Sequence, residues 1–125
     1  MFKTILFPLN RSQETRQAVD VAISLVQKYQ ATLYVLSVTE PDGDRQSSEA
    51  LITEMQDHFA AVSISIKTKI AEGKAAFVIC DYADEINADL IVMGSRGMSL
   101  AEEHPDDSVS QKVINLSPCA VLVVP

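Results

Sequence analysis

The sequence predicts an α/β fold built on a parallel sheet. Five short apolar segments alternate along the 125 residues with four segments whose apolar residues recur at helical spacing. The segment at 32–38 is almost continuously apolar, as parallel strands covered on both faces usually are. Strands that alternate with helices form a parallel sheet with right-handed crossovers, so we expect one domain over residues 1–125.

Each predicted element has its own signal. The strands are expected at residues 3–8, 32–38, 63–70, 89–93 and 120–124, and the helices at 13–30, 48–61, 75–86 and 108–116. Ser12 is a favourable N-cap for the first helix, and Pro8 is expected to end the first strand because proline cannot continue a ladder. The strand at 63–70 alternates apolar and polar residues, which indicates a half-exposed position near the sheet edge. The helix residues expected to face the core are Leu51, Met55 and Phe59 in the second helix and Phe77, Val78, Ala83 and Ile86 in the third.

Composition and charge argue against several classes of function. The formal net charge is −7 and the ten basic residues are scattered, so no nucleic acid partner is expected, because phosphate backbones are bound by clustered Lys and Arg. No apolar stretch approaches the ~20 residues of a membrane-spanning helix, and we expect no membrane partner. The first residues lack the pattern of a signal peptide, which predicts a cytoplasmic location. Cys80 and Cys119 are interpreted as two buried, reduced thiols, and no Cys/His cluster indicates a metal site.

The last predicted strand, 120–124, consists of five apolar residues. At a sheet edge such a strand is a pairing hazard if it is left bare. A symmetric homodimer that joins two of these edges is one solution. The other is a strand covered by the helices of its own chain, and periodicity leaves both open.

A glycine-bracketed loop follows the fourth strand. The string Met93-Gly94-Ser95-Arg96-Gly97 comes directly after an apolar run, at the carboxyl end of a strand, where open parallel sheets hold their ligands. Glycine there is expected to permit positive φ and a close approach of the backbone to a ligand. Ten residues on, Asp107-Ser108-Val109 opens the last helix, whose first amides can face the same crevice. The pattern resembles an anion or nucleotide site.

Three segments of the chain resemble the universal stress protein family: Ile5-Leu6-Phe7-Pro8, the string from Ala88 to Gly97, and the string from Ser117 to Pro125. Glu72-Gly73 resembles it too, and the resemblance covers the whole chain. It implies a doubly wound five-stranded parallel sheet flanked by four helices, that is, an adenine-nucleotide α-hydrolase-like or flavodoxin-like three-layer sandwich. It also implies a dimer through the last strand in many members. Some members bind ATP and others do not.

The ATP-binding members carry a motif of Gly, two residues, Gly, nine residues, then Gly followed by Ser or Thr. Gly94, Gly97 and Ser108 match this motif, but Asp107 stands at the position of the third glycine. The first strand of binders usually ends Pro-x-Asp-Gly-Ser, whereas Asn10 and an arginine stand here in place of Asp and Gly. The candidate nucleotide-binding residues that the resemblance implies are Pro8, Asn10, Val38, Met93, Gly94, Arg96, Gly97, Asp107, Ser108 and Val109.

The acidic residues near this motif disfavour a polyphosphate. Glu102, Glu103, Asp106 and Asp107 give four carboxylates, and Arg96 alone opposes them. Two unit charges about 8 Å apart at an effective dielectric constant of about 20 repel by roughly 2 kcal/mol. Mg²⁺ could offset part of the repulsion by bridging phosphate and carboxylate oxygens. Alternatively, Asp106 or Asp107 simply caps the last helix, a role that does not exclude a loss of nucleotide affinity.

Two further positions have open interpretations. Asn10 can reach a ribose or an adenine edge, or form an Asx turn that leads into the first helix. Arg11 lies at the expected mouth of the crevice, either exposed to solvent or paired with phosphate or with the nearby acids.

Catalysis has little support in the sequence, since no Ser-His-Asp constellation, P-loop lysine or metal triad can be assembled. We therefore expect a non-catalytic stress-response regulatory or ligand-sensing module with a degenerate ATP motif and weak or absent nucleotide binding. The alternative is an ATP- or AMP-binding switch, with Mg²⁺, that uses Gly94, Gly97 and Ser108. A weak ATP hydrolase is a third option.

Overall fold

The computed structural model describes residues 1–9, 15–39, 41, 43–94 and 109–125. These residues form one sheet of five parallel strands, together with four helices. The strands are β1 (Thr4–Leu9), β2 (Thr32–Thr39), β3 (Ile66–Glu72), β4 (Leu90–Gly94) and β5 (Ala120–Val124), and the helices are α1 (Thr15–Tyr29), α2 (Arg45–Ala60), α3 (Ala75–Glu85) and α4 (Val109–Leu116). The predicted α/β fold and its alternating element order are confirmed.

The strand order β3-β2-β1-β4-β5 places β1 at the centre of the sheet. β1 pairs in parallel with β2, from Thr4 opposite Thr32 to Leu9 opposite Ser37, and its other side pairs with β4. After β1 the chain therefore builds outward through β2 and β3, then returns to the opposite side of β1 for β4 and β5. This is the doubly wound arrangement that the family resemblance implies, and its switch point lies between β1 and β4.

Different helices cover the two faces of the sheet. Successive strand residues point to opposite faces. One hydrophobic cluster joins Ile5 and Phe7 of β1 to α1 and α2, and a second joins Leu6 to α3 and α4. Phe59 of α2 is fully buried in the first cluster, and Ile79 of α3 in the second. The expected three-layer sandwich follows, with the sheet in the middle.

β1 continues past Pro8, so the prediction that this proline ends the strand is wrong. Pro8 lies opposite Leu36, and Leu9 lies opposite Ser37, in the register with β2. Pro8 and Leu9 are both buried. A proline removes one N–H from the strand but keeps its carbonyl acceptor, and its φ is tolerated near a strand end.

α2 begins at Arg45 rather than at the predicted Ser48, because Asp44 caps it. The Asp44 carboxylate accepts hydrogen bonds from the backbone N–H of Gln46 at 2.9 Å and from the hydroxyl of Ser47 at 3.2 Å. Ser48 is consequently a buried residue within the helix.

β3 begins at Ile66 rather than at residue 63. Ser63 has a φ of +62°, and its N–H donates to the carbonyl of Ala60, so this part of the chain still closes the end of α2. The strand then occupies one edge of the sheet with a mostly exposed pattern, as the alternation predicted.

Phe77 does not face the core, contrary to the prediction, since 55% of its surface is exposed. The buried residues of α3 are Ala76, Ile79, Cys80 and Ala83. Each residue turns an α-helix by about 100°, so a buried stripe centred on these positions leaves Phe77 outside. In α2 the prediction holds for Met55 and Phe59, while Ile52 is buried beside the half-buried Leu51.

Asp89 fastens the start of β1 to the start of β4. Its carboxylate accepts hydrogen bonds from the backbone N–H groups of Thr4 and Lys3, both at 2.9 Å, and its own N–H donates to the Thr4 carbonyl at 2.8 Å. The bonds from Thr4 and then Lys3 hold the pKa of the Asp89 carboxyl below its ordinary value. The folded state therefore favours the charged carboxylate.

We expect Asp89→Ala to lower Tm near neutral pH and to have progressively less effect in acid. The folded pKa lies below the unfolded value of about 3.9, so the stabilisation is present above that value and is lost as the pH falls through the folded pKa. Thermal unfolding between about pH 2 and pH 7 measures the effect, with Asp20→Ala, an exposed position on α1, as the control. A Tm difference between wild type and Asp89→Ala that is constant over this range would contradict the prediction.

Candidate functional site

The carboxyl ends of β1 and β4 mark the place where this fold holds ligands, because the connections leave the sheet in opposite directions there. The structure describes five of the candidate residues around this place: Pro8, Val38, Met93, Gly94 and Val109. Pro8, Met93 and Gly94 are buried at the ends of β1 and β4, and Val38 and Val109 are half-buried at the end of β2 and the start of α4. These five residues mark the position of the candidate site.

Three of these side chains lie on the same face of the sheet. Val38, Met93 and Val109 all belong to or pack against the hydrophobic cluster beneath α3 and α4. Met93 is fully buried within that cluster, whereas the two valines keep part of their surface open. Ligand sites in proteins are lined mainly by apolar side chains, with a few polar groups that fix orientation. Of the three, Val38 and Val109 are the ones whose open surface a ligand could contact.

Gly94 has a different backbone conformation from the one expected. It is the last residue of β4 and lies opposite Val124 of β5. Among the described residues, the glycine with a positive φ is Gly73, not Gly94. Pairing with β5 keeps Gly94 extended, so its contribution at this position is the lack of a side chain rather than a turn.

The remaining candidates lie outside the described residues. They are Asn10, Arg96, Gly97, Asp107 and Ser108. The predicted N-cap Ser12, Arg11 and the other acids of the 98–107 segment also lie outside. Their proposed roles stay predictions from the sequence.

A buried hydroxyl pair that the sequence did not reveal holds the end of β2. Oγ1 of Thr39 and Oγ of Ser48 are 2.7 Å apart, and both residues are buried. The Thr39 carbonyl also accepts a hydrogen bond from the N–H of Gly73 at 3.1 Å. These contacts join β2, α2 and the turn after β3 one residue beyond Val38. The sequence holds one indication of this contact, a threonine directly after an apolar run. The strand was expected to end at residue 38, so Thr39 was interpreted as part of the following loop.

Cys80 and Cys119 are both free, and burial raises the pKa of each thiol. For Cys119 a hydrogen bond from the Ser117 hydroxyl, with Oγ 3.7 Å from Sγ, acts in the opposite direction. Cys80 is buried as predicted, but Cys119 is only half-buried because it lies just before the edge strand β5. The thiolate is the reactive form of cysteine, so a raised pKa lowers the reactivity of both thiols.

Two features are absent from the described part of the chain. Within residues 1–9, 15–39, 41, 43–94 and 109–125, no group of three or more His, Cys, Asp or Glu is placed to hold a metal ion. Over the same ranges, no helix has the length and apolar character required to cross a membrane.

The strand order defines a doubly wound α/β protein whose switch point lies between β1 and β4. The sequence model of the universal stress protein family matches residues 1–125. The chain belongs to the universal stress protein family.

Individual relatives agree with this assignment. The universal stress protein Sll1654 of Synechocystis is 49% identical over 136 residues, which cover 100% of this chain and 87% of that protein. The structure of the universal stress protein UspA from Lactobacillus plantarum superposes with a TM-score of 0.80 at 25% identity and covers 99% of this chain and 98% of its own. A universal stress protein solved in complex with cAMP has a TM-score of 0.83 at 22% identity, with 99% and 97% covered.

Proposed function

We propose that this chain is a single-domain, non-catalytic stress-response module of the cytoplasm that senses a small ligand at the β1/β4 switch point and binds adenine polyphosphates weakly. The observation that carries the proposal is the shared face of Val38, Met93 and Val109 beside the end of β4. Two of these side chains are half-exposed there and so are available to a ligand. Two free cysteines are consistent with a reducing compartment.

Charge is the reason to expect weak binding of polyphosphates. The sequence between Gly97 and Ser108 carries four carboxylates, including Asp107 at the position where binders have glycine. Repulsion grows with the number of phosphate charges, so ATP is disfavoured more strongly than AMP. A ligand with one phosphate or none is the better match for such a site.

A second candidate function is an ATP- or AMP-binding switch. Two observations favour it: the chain retains Gly94, Gly97 and Ser108 of the binding motif, and a structural neighbour was solved with cAMP. In this case Mg²⁺ would lie between the phosphates and the carboxylates and reduce their repulsion.

Thermal unfolding with nucleotides separates the two functions. A ligand that binds only the folded state raises Tm in proportion to its occupancy. The sensing module predicts no shift with millimolar ATP, with or without Mg²⁺, and at most a small shift with AMP or cAMP. A large shift with ATP and Mg²⁺ would establish the switch and reject the proposal.

The same assay tests the role of Asp107. We expect Asp107→Gly to lower the Kd for ATP by about tenfold, the equivalent of roughly 1.4 kcal/mol, since it removes one charge and one side chain from the position of the motif glycine. Asp107→Asn is the matched control, because it removes the charge and keeps the size. An unchanged Kd in both variants would show that Asp107 does not limit nucleotide affinity.

We also propose a homodimer through residues 120–124. β5 forms the edge of the sheet opposite β3, and its residues Ala120–Val124 carry no charge. Large apolar side chains are exposed on β5 and on the adjoining α4, namely Leu122 at 38% and Ile114 and Leu116 at 48% each. An uncharged edge flanked by apolar surface is the kind of surface that a second copy can cover.

A further inference from the structure

The second edge of the sheet, formed by β3, differs in charge from the edge formed by β5. β3 pairs with β2 on one side, and no strand in the described part of the chain pairs with its other side. Its exposed residues include Lys67 and Lys69, two residues apart. Arg45–Glu49 is the ion pair found among the described residues, so neither lysine is neutralised within them. Glu72, at the end of β3, is exposed as well, so the basic part of this edge is the stretch with Lys67 and Lys69, in a protein with a net charge of −7.

The side chains of β3 divide between two faces. Lys67 and Lys69 lie opposite Tyr34 and Leu36 in the register with β2, and the Lys67 ammonium is 5.5 Å from the centre of the Tyr34 ring. This is the face that carries α3. Ile66 lies on the other face, where it packs against the cluster beneath α1 and α2.

An open groove adjoins the start of β3 on the α2 side. It has a volume of about 430 Å³ and is lined by Gln56 and Ala60 of α2 and by the chain from Ser63 to Ile66. Its lining is part polar and part apolar, and Ile64 and Ile66 are half-buried in it. An apolar side chain arriving at the outer edge of β3 would find partners there.

We propose that the free edge of β3 binds an extended acidic segment of a partner protein, which adds to the sheet as a further strand. Edge strands accept such peptides through their unpaired backbone groups, and the side chains on either face supply specificity. Residues of the added strand alternate between the faces, so carboxylates at positions i and i+2 would meet Lys67 and Lys69. The residue between them would lie opposite Thr68, on the face where Ile66 and Ile70 pack against the cluster beneath α1 and α2. The preferred sequence therefore alternates acidic and apolar residues.

The lysines also explain why the partner is not a second copy. If two β3 edges paired, Lys67 and Lys69 of one copy would face Lys67 and Lys69 of the other. Like charges that face each other across a strand pair are destabilising. β5 carries no such charges. The two edges of the sheet therefore bind different partners. The uncharged edge suits a second copy of the chain, and the basic edge selects an acidic strand of another protein.

Fluorescence anisotropy with the full chain tests the proposal. The probe is a labelled eight-residue peptide of alternating valine and glutamate. The first comparison ligand is a peptide of the same composition with the valines in one block and the glutamates in another. The other two are an alternating valine–lysine peptide and a single-stranded oligothymidylate of eight nucleotides. We expect the alternating acidic peptide to bind at least about tenfold more tightly than each of the others, and more weakly as salt rises.

Charge reversal on the edge gives the matched comparison. Lys69→Glu should weaken binding of the acidic peptide by about tenfold. Lys28→Glu makes the same change in net charge at an exposed position on α1, and it should change the peptide's affinity by no more than about twofold. Amide hydrogen exchange should show new protection in β3 when the peptide is bound. Failure to bind at millimolar peptide, equal binding of the block peptide or the oligonucleotide, equal effects of the two variants, or protection in β5 instead would each overturn the proposal.

Discussion

Gly73→Ala is expected to reduce the free energy of unfolding by about 3 kcal/mol, from a backbone cost and a packing cost of roughly 1–3 kcal/mol each. Gly73 has a φ of +137°, a conformation that residues with a Cβ rarely adopt. A Cβ at this position would also lie 2.9 Å from Cγ2 of Val78. Val78 cannot easily turn away, because β-branched side chains have one strongly preferred rotamer in a helix. Denaturant unfolding measures the loss.

Val78→Ala provides the control that separates the two costs. This variant removes Cγ2, so Gly73→Ala in its background should retain the backbone cost and lose the packing cost. The coupling between the two substitutions should then be about 1–2 kcal/mol in favour of the double variant. A loss below about 1 kcal/mol for Gly73→Ala alone would contradict the prediction, because it would mean that the turn after β3 relaxes at little cost.

Leu122→Lys is expected to convert the proposed dimer into a monomer. Leu122 is 38% exposed in the uncharged edge strand β5, and a dimer about a two-fold axis would hold two copies of the new charge close together. A penalty of roughly 1.4 kcal/mol per protomer, doubled by symmetry, weakens the dimer by about 100-fold. Sedimentation velocity at micromolar concentration measures the change.

Thr68→Lys is the matched control for the dimer. It adds the same charge to an exposed position on the opposite edge strand, β3, and should leave the dimer unchanged. A wild-type chain that sediments as a monomer at all concentrations would reject the β5 dimer, as would a dimer that persists in Leu122→Lys.

Two errors in the predicted fold concern the helices α2 and α3. The cap that starts α2 at Arg45 comes from Asp44, which lies in a polar stretch of the sequence where several residues are equally good candidates for a cap. Phe77 was expected to face the core as one of the apolar residues of its helix, yet the helix turns it outward. The first error is a choice among neighbouring polar residues, and the second depends on how α3 packs on the sheet.

The candidate site was predictable in part. Pro8, Val38, Met93, Gly94 and Val109 were named from the family resemblance, and the structure places Val38, Met93 and Val109 against one cluster. The hydroxyl pair of Thr39 and Ser48 was not found, because its partners are nine residues apart and meet only when α2 packs on β2. No periodic pattern in the sequence carries that contact.

The amino-acid sequence by itself determined the type and order of the elements, because strand and helix periodicities are local properties of the chain. It also determined the net charge of −7 and the departure of Asp107 from the binding motif. Only the tertiary structure decided which surfaces are left open: an edge with two lysines at β3, an uncharged edge at β5, and the half-exposed side chains of Val38 and Val109. These depend on which strands become neighbours and which helices cover them, and that follows from the packing of segments far apart in the chain.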